Sequence, residues 1–203
     1  TCKQLDCWLI HISTDFVFDG LSNTPYREVD ATNPLGVYGQ TKLDGELAIG
    51  SSGCKHIILR TSWLYSQYGN NFLTTMLSLA QNSNELNIVS DQIGCPTHAL
   101  DVAQTIINIL YKLPSGEIQS GIYHYCGDQP CSWYDFAITI FDQASNNSFR
   151  VPKTINSIES SKYVVLAKRP SFSALDCTKI LNNPDITLSN MESSIWHTIR
   201  SLK

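Results

Sequence analysis

Cys7-Trp8-Leu9-Ile10-His11-Ile12 runs directly into Ser13-Thr14-Asp15-Phe16-Val17-Phe18-Asp19-Gly20, and Pro34-Leu35-Gly36-Val37-Tyr38-Gly39-Gln40-Thr41-Lys42 follows after a turn-rich loop. The first run is short and nearly continuous in apolar residues, which predicts a parallel strand covered on both faces. Its carboxyl end, where Ser13, Thr14 and Asp15 stand, is the place at which open α/β sheets gather their ligands. Pro34 is a helix-start signal. A helix is expected from about Leu35 to Ile49, with Val37, Leu43 and Leu47 among its apolar positions and Gly50 and Gly53 at its end. Tyr38 and Lys42 are four residues apart and so share one face of that helix.

His56-Ile57-Ile58-Leu59-Arg60-Thr61 reads as a second buried strand, which completes a βαβ unit with a right-handed crossover. Further along, Asn70-Asn71 caps a helix over about 72–81. A strand is expected at 86–89, a structured loop at 91–97, a helix from Ala99 to Tyr111 and a strand from Gly121 to Tyr125. Ser132 begins another helix, with Trp133, Phe136 and Phe141 on its apolar side. The pattern weakens over 145–168, and helical pieces at about 176–181 and 189–202 follow. The class is therefore α/β with a parallel sheet. Thr1 opens the sequence as if midway along a helix, and no G-x-G-x-x-G occurs. The expectation is a fragment, or one piece of a split chain, without the glycine turn that holds a dinucleotide pyrophosphate.

The net charge of −4 comes with no Lys/Arg block, which argues against nucleic-acid binding and polybasic membrane attachment. No apolar stretch approaches the roughly 20 residues of a membrane helix. Seven cysteines are spread without a C-x-x-C pair. They read as free thiols of a cytoplasmic protein, not as a disulfide framework or zinc site. Asp15, Asp19 and Glu28 form a carboxylate ladder at loop spacing, which is more often solvated than metal-binding, and no metal ligands are assigned.

The residue types carry a specific chemistry. Reduction of a ketone needs hydride at carbon and a proton for oxygen. A free phenol, with its pKa near 10, is a sluggish donor, and a nearby ammonium lowers that value by favouring phenolate. A Thr14 or Ser13 hydroxyl can hold the carbonyl oxygen in place. Taken alone, a tyrosine and a lysine at this spacing are more often a surface pair; the strand end and the βαβ context favour catalysis.

I-S-T-D-F-V-F-D-G, P-Y-R-E, P-L-G-V-Y-G-Q-T-K-L-D-G-E, L-R-T-S-W-L-Y, G-N-N-F, D-Q-I-G-C-P-T and R-P-S together resemble the dTDP-4-dehydrorhamnose reductase family of extended short-chain dehydrogenase/reductases. The resemblance spans essentially the whole chain and matches the later two-thirds of the family's length. It implies the C-terminal part of a Rossmann-like parallel sheet over residues 1–91. A smaller α/β subdomain binding the sugar nucleotide would occupy most of 92–203, with interleaved elements.

The implied catalytic residues are Thr14, Tyr38 as proton donor, and Lys42. Tyr38, Lys42, Ser13 and Thr61 would face NADPH or NADH. Thr14, Asp15, Trp63, Asn71 and Arg169 would face a dTDP-deoxyhexulose, with Trp63 as an aromatic wall and Arg169 reaching the diphosphate. Asn71 is also readable as a helix cap only, and Arg169 as a surface ion-pair partner. Phe16 stands where the family commonly has tyrosine. Members of the family sometimes place magnesium at a dimer contact; a homodimer fits that pattern, but the sequence identifies no magnesium ligands. A related branch, the regulatory subunit of methionine adenosyltransferase, is similar in the same two stretches without being an enzyme. Thr14 beside Tyr38 and Lys42 favours the enzyme. A chain without the pyrophosphate cradle would be inert alone.

Overall fold

The computed structural model describes residues 1–163 and 167–202. The segment 164–166, within the stretch expected to be irregular, lies outside the described residues. β1 (Leu9–Thr14), α1 (Val37–Ser52) and β2 (His56–Thr61) make the predicted βαβ unit. β1 and β2 are parallel, with Leu9 opposite His56 and Thr14 opposite Thr61. β1 begins two residues later than its apolar run and continues through Ser13 and Thr14, because pairing with β2 extends to that point.

Next come β3 (Leu64–Tyr65), α2 (Phe72–Asn82), β4 (Glu85–Val89), β5 (Ile93–Gly94), β6 (Thr97–His98), α3 (Ala99–Lys112) and β7 (Gly121–His124). β7 pairs in parallel with β2, Arg60 lying opposite His124, so the sheet order is β1-β2-β7. β2 is the central strand and is buried from Ile57 onward, as its apolar composition demands. The chain continues through β8 (Cys131–Ser132), α4 (Trp133–Asn146), β9 (Thr154–Ile158), α5 (Thr178–Leu181) and α6 (Met191–Ser201). The expected loop at 91–97 contains β5 and the start of β6, which pair with β8 and β3 respectively. β9 pairs in parallel with β4, so part of the expected irregular stretch is a strand.

Two apolar cores result. One gathers Val17, Phe18, Ile57, Leu59, Ile109 and Ile180 around the three-stranded sheet. The other joins α2, α4 and α6 through Leu73, Met76, Phe136, Ile140, Ile195 and Ile199. Each core draws on residues from both sides of residue 91.

α1 is built differently from the other long helices. Its buried residues are Gly39 and Glu46, while Val37 and Leu47, expected on an apolar face, are 81% and 62% exposed. A Cβ on Gly39 would stand 2.2 Å from the Phe16 carbonyl oxygen, so only glycine lets α1 approach the turn after β1 this closely. The helix ends at Gly53, whose φ of 69° provides the left-handed cap.

Candidate active site

Three elements meet at the carboxyl end of β1. Thr14, the last strand residue, also caps the short 3₁₀ turn Asp15–Val17: its Oγ1 accepts from Phe16 N at 3.2 Å and donates to Asp15 Oδ1 at 3.1 Å. Asp15 is buried, and its Oδ2 has no hydrogen-bond partner among the described residues. Burial pushes its carboxyl up to about 7, against the pull of the Ser173 and Thr14 hydroxyls and nearby backbone N–H groups. The Phe16 ring meets Tyr38 edge to face, with centroids 5.9 Å apart. Lys42, one turn further along α1, donates from Nζ to the Ile12 carbonyl at 2.7 Å.

The structure therefore brings Thr14, Asp15, Tyr38 and Lys42 to one strand end. Tyr38 is more than half exposed and borders a cleft of about 490 Å³ with Phe16, Leu35, Lys168 and Pro170. Thr61, opposite Thr14 in the sheet, keeps a buried hydroxyl oxygen without a partner among the described residues. Ser13 is committed elsewhere: its hydroxyl donates to Glu46 Oε1.

Beneath this surface lies a buried polar cluster. Arg60 Nε and Nη2 donate to the Glu46 carboxylate at 2.9 Å and 2.6 Å. Arg60 Nη1 lies 3.5 Å from His124 Nε2, and His124 Nδ1 is 3.0 Å from the Tyr26 carbonyl. Burial and the Arg60 charge depress His124 to about 3, so its ring is neutral. The guanidinium also covers the Phe18 ring at 5.1 Å. His11 Nε2 has no hydrogen-bond partner among the described residues, and burial together with Lys42 lowers its pKa.

The sequence pointed to no part in the site for Glu46 or Arg60, and read Trp133 only as an apolar helix position. For Arg60 a signal existed, since a guanidinium inside an apolar strand must find a buried partner.

The remaining expected site residues lie on the other core's side. Trp63, at φ 46°, stacks on Trp133 with centroids 3.4 Å apart and 4° between planes. A Cβ on Gly94 would fall 2.3 Å from the Trp63 ring, so that glycine makes room for the indole. Arg169 lies over the Trp133 ring at 6.0 Å. Trp133 and Arg169, but not Trp63, line an apolar cleft of about 290 Å³ together with Phe72, Met76, Leu79 and Ile88. Asn71 forms a full capping box with Thr74, and its Nδ2 donates to Ser66 and Tyr68 carbonyls, so the chain itself occupies its amide. Among the described residues no His/Cys/Asp/Glu group could hold a metal ion, no cysteine is bridged, and no helix is long and apolar enough to cross a membrane.

Comparison with known proteins places this geometry in context. The RmlD substrate binding domain family matches residues 1–203. A dTDP-4-dehydrorhamnose reductase of Aggregatibacter actinomycetemcomitans is 49% identical over 175 residues, covering 85% of this chain and 59% of the relative. That of Sinorhizobium fredii is 41% identical over 199 residues, covering 96% and 66%. The chain thus spans 59–66% of the length of these curated relatives. Among solved structures, dTDP-4-dehydrorhamnose reductase from Bacillus anthracis in complex with NADP superposes with a TM-score of 0.87 at 30% identity, covering 98% of this chain and 67% of that one.

Proposed function

This chain belongs to the RmlD substrate binding domain family of dTDP-4-dehydrorhamnose reductases, and from that premise we propose that its full-length protein reduces the 4-keto group of dTDP-4-dehydro-6-deoxy-L-mannose to give dTDP-L-rhamnose. The observation that carries the reading is the convergence of Tyr38, Lys42 and Thr14 at the carboxyl end of β1, beside an open cleft. NADPH or NADH supplies the hydride when bound. Tyr38 gives its phenolic proton to the 4-oxygen, and the Lys42 cation one turn away offsets the charge left on the phenol. Thr14, aligned by Phe16 N, orients the oxygen that receives the proton.

The residues present fit a nicotinamide ribose. Lys42 uses one N–H on Ile12 and keeps two, and Thr61 offers an unpartnered hydroxyl nearby. No glycine-rich turn in this sequence serves the pyrophosphate, so none of these residues is assigned to it. For the sugar nucleotide, the Trp63–Trp133 stack and the Phe72 side of the cleft offer flat apolar surface, and Arg169 offers a fork for phosphate oxygens. Free thiols and the absence of a membrane-crossing helix among the described residues support a cytoplasmic setting.

The test is loss of NADPH or NADH absorbance when the keto sugar is added to the full-length protein. Turnover is expected, with Tyr38→Phe lowering kcat by about 10²-fold or more while KM is retained. Absence of turnover in the parent refutes the assignment.

A further inference from the structure

We propose that Glu46, gripped by Arg60 and Ser13, is the residue that positions Tyr38 and Lys42 over the end of β1. The proposal rests on the reductase reading only for what those two side chains do. Helices are ordinarily located by an apolar stripe packed on the core. α1 has little of one: its buried residues are a glycine and a glutamate, Leu43 is only partly buried where it packs on the sheet core, and Leu47 points to solvent. Something else must set its rotation and its rise along the sheet.

Glu46 lies four residues beyond Lys42 and eight beyond Tyr38, on the same helical stripe. Its carboxylate receives Arg60 through Nε and Nη2, and the Ser13 hydroxyl from the neighbouring strand. Ser13 and Arg60 face each other in the β1–β2 ladder, one residue before Thr14 and Thr61. The clamp therefore ties the helix to the rung adjacent to the reacting end of the sheet. Two parallel N–H···O bonds fix orientation as well as distance, which a point contact does not. Arg60 is itself held by the Phe18 ring and by His124 on β7, so the anchor reaches across all three strands.

A pair this deeply buried, with both side chains 2–3% exposed, adds little net stability over apolar residues of similar size. Its value here is geometric. Misplacing a reacting group by about 1 Å can lower a rate about 10²-fold.

The test compares three variants of the full-length protein: Glu46→Met/Arg60→Met, Arg60→Lys and Ser13→Ala. The double variant leaves no unpaired buried charge and is expected to melt within a few degrees of the parent. Its kcat should nevertheless fall at least about tenfold at an unchanged KM for the sugar nucleotide. In its crystal structure the Lys42 Nζ should leave hydrogen-bond reach of the Ile12 carbonyl. Arg60→Lys keeps the charge but loses the fork, and Ser13→Ala removes one arm. Both should show smaller losses in kcat, again without a change in KM.

A folded double variant with kcat within about twofold of the parent and the Lys42–Ile12 bond intact overturns the proposal. Should the double variant not fold, parental kcat in both single variants overturns it. Should the parent itself show no carbonyl reduction, the reductase reading fails on its own. The crystallographic Lys42–Ile12 distance in the variants then decides the positioning role.

Discussion

Replacing Gly39 by alanine tests the docking of α1 most directly. In an open helix the change gains about 0.5–1 kcal/mol, because alanine restricts the unfolded chain and shields the backbone. At Gly39 the added Cβ would lie 2.2 Å from the Phe16 carbonyl oxygen and 2.9 Å from Pro34 Cβ. Carbon–oxygen contacts of this kind normally settle at about 3.3 Å or more, so α1 or the turn must yield by about 1 Å. Overpacking of that degree costs about 1–3 kcal/mol, and the backbone oxygen has no rotamer with which to escape. The net expectation is a loss of about 1–2 kcal/mol, with Tyr38 carried away from Thr14.

Gly50, in the same helix, is the internal control, since a Cβ there meets nothing within 4 Å. Gly50→Ala should gain the ordinary helix increment, leaving the two alanine variants about 1.5–3 kcal/mol apart. Urea denaturation of the full-length protein, extrapolated linearly, measures the difference. Equal stability of the two variants would refute the close-approach argument.

Two further outcomes can be read from the site. Asp15 titrates at about 7 when folded against 3.8 as a free carboxyl, so the folded state binds its proton more tightly and stability falls as pH rises between those values. The span corresponds to roughly 4 kcal/mol as an upper bound. Asp15→Asn should flatten the stability profile between about pH 4 and pH 7 and gain stability at pH 8, and parallel urea curves for the two proteins would count against this. Asn71→Ala should cost about 1 kcal/mol through the lost cap while leaving KM for the sugar nucleotide unchanged; a raised KM with intact stability would make Asn71 a substrate contact instead.

Much of the architecture was legible in the sequence where one physical signal dominated. β2 appears over the predicted residues because a buried central strand must be apolar, and α2 begins at Phe72 because the Asn71 side chain caps its first turn. β9 was missed because Thr154-Ile155-Asn156-Ser157-Ile158 carries polar side chains that bond across to β4. Asn156 Nδ2 reaches Glu85 and Asn87, and Ser157 reaches Ser90. Such a strand is specified by its partner rather than by its own pattern.

The apolar reading of α1 failed at Val37 and Leu47 for a related reason. The residues the helix buries are Gly39 and Glu46, and neither residue type contributes to an amphipathic pattern. Tyr38 and Lys42 were visible because their spacing is local, and Thr14 because it ends a buried apolar run. The Glu46–Arg60–Ser13 cluster joins three elements, and only the fold reveals it.

The packing of Trp63 has a consequence for how this site can change over generations. Gly94 admits the indole, the indole lies flat on Trp133, and the three residues come from separate elements of the chain. Substitutions within such a contact set do not add. A methyl at position 94 collides with a tryptophan at 63 yet would find space beside a smaller side chain. The same change is thus harmful or harmless according to its neighbour, and a lineage could lose the glycine only after it had given up the indole.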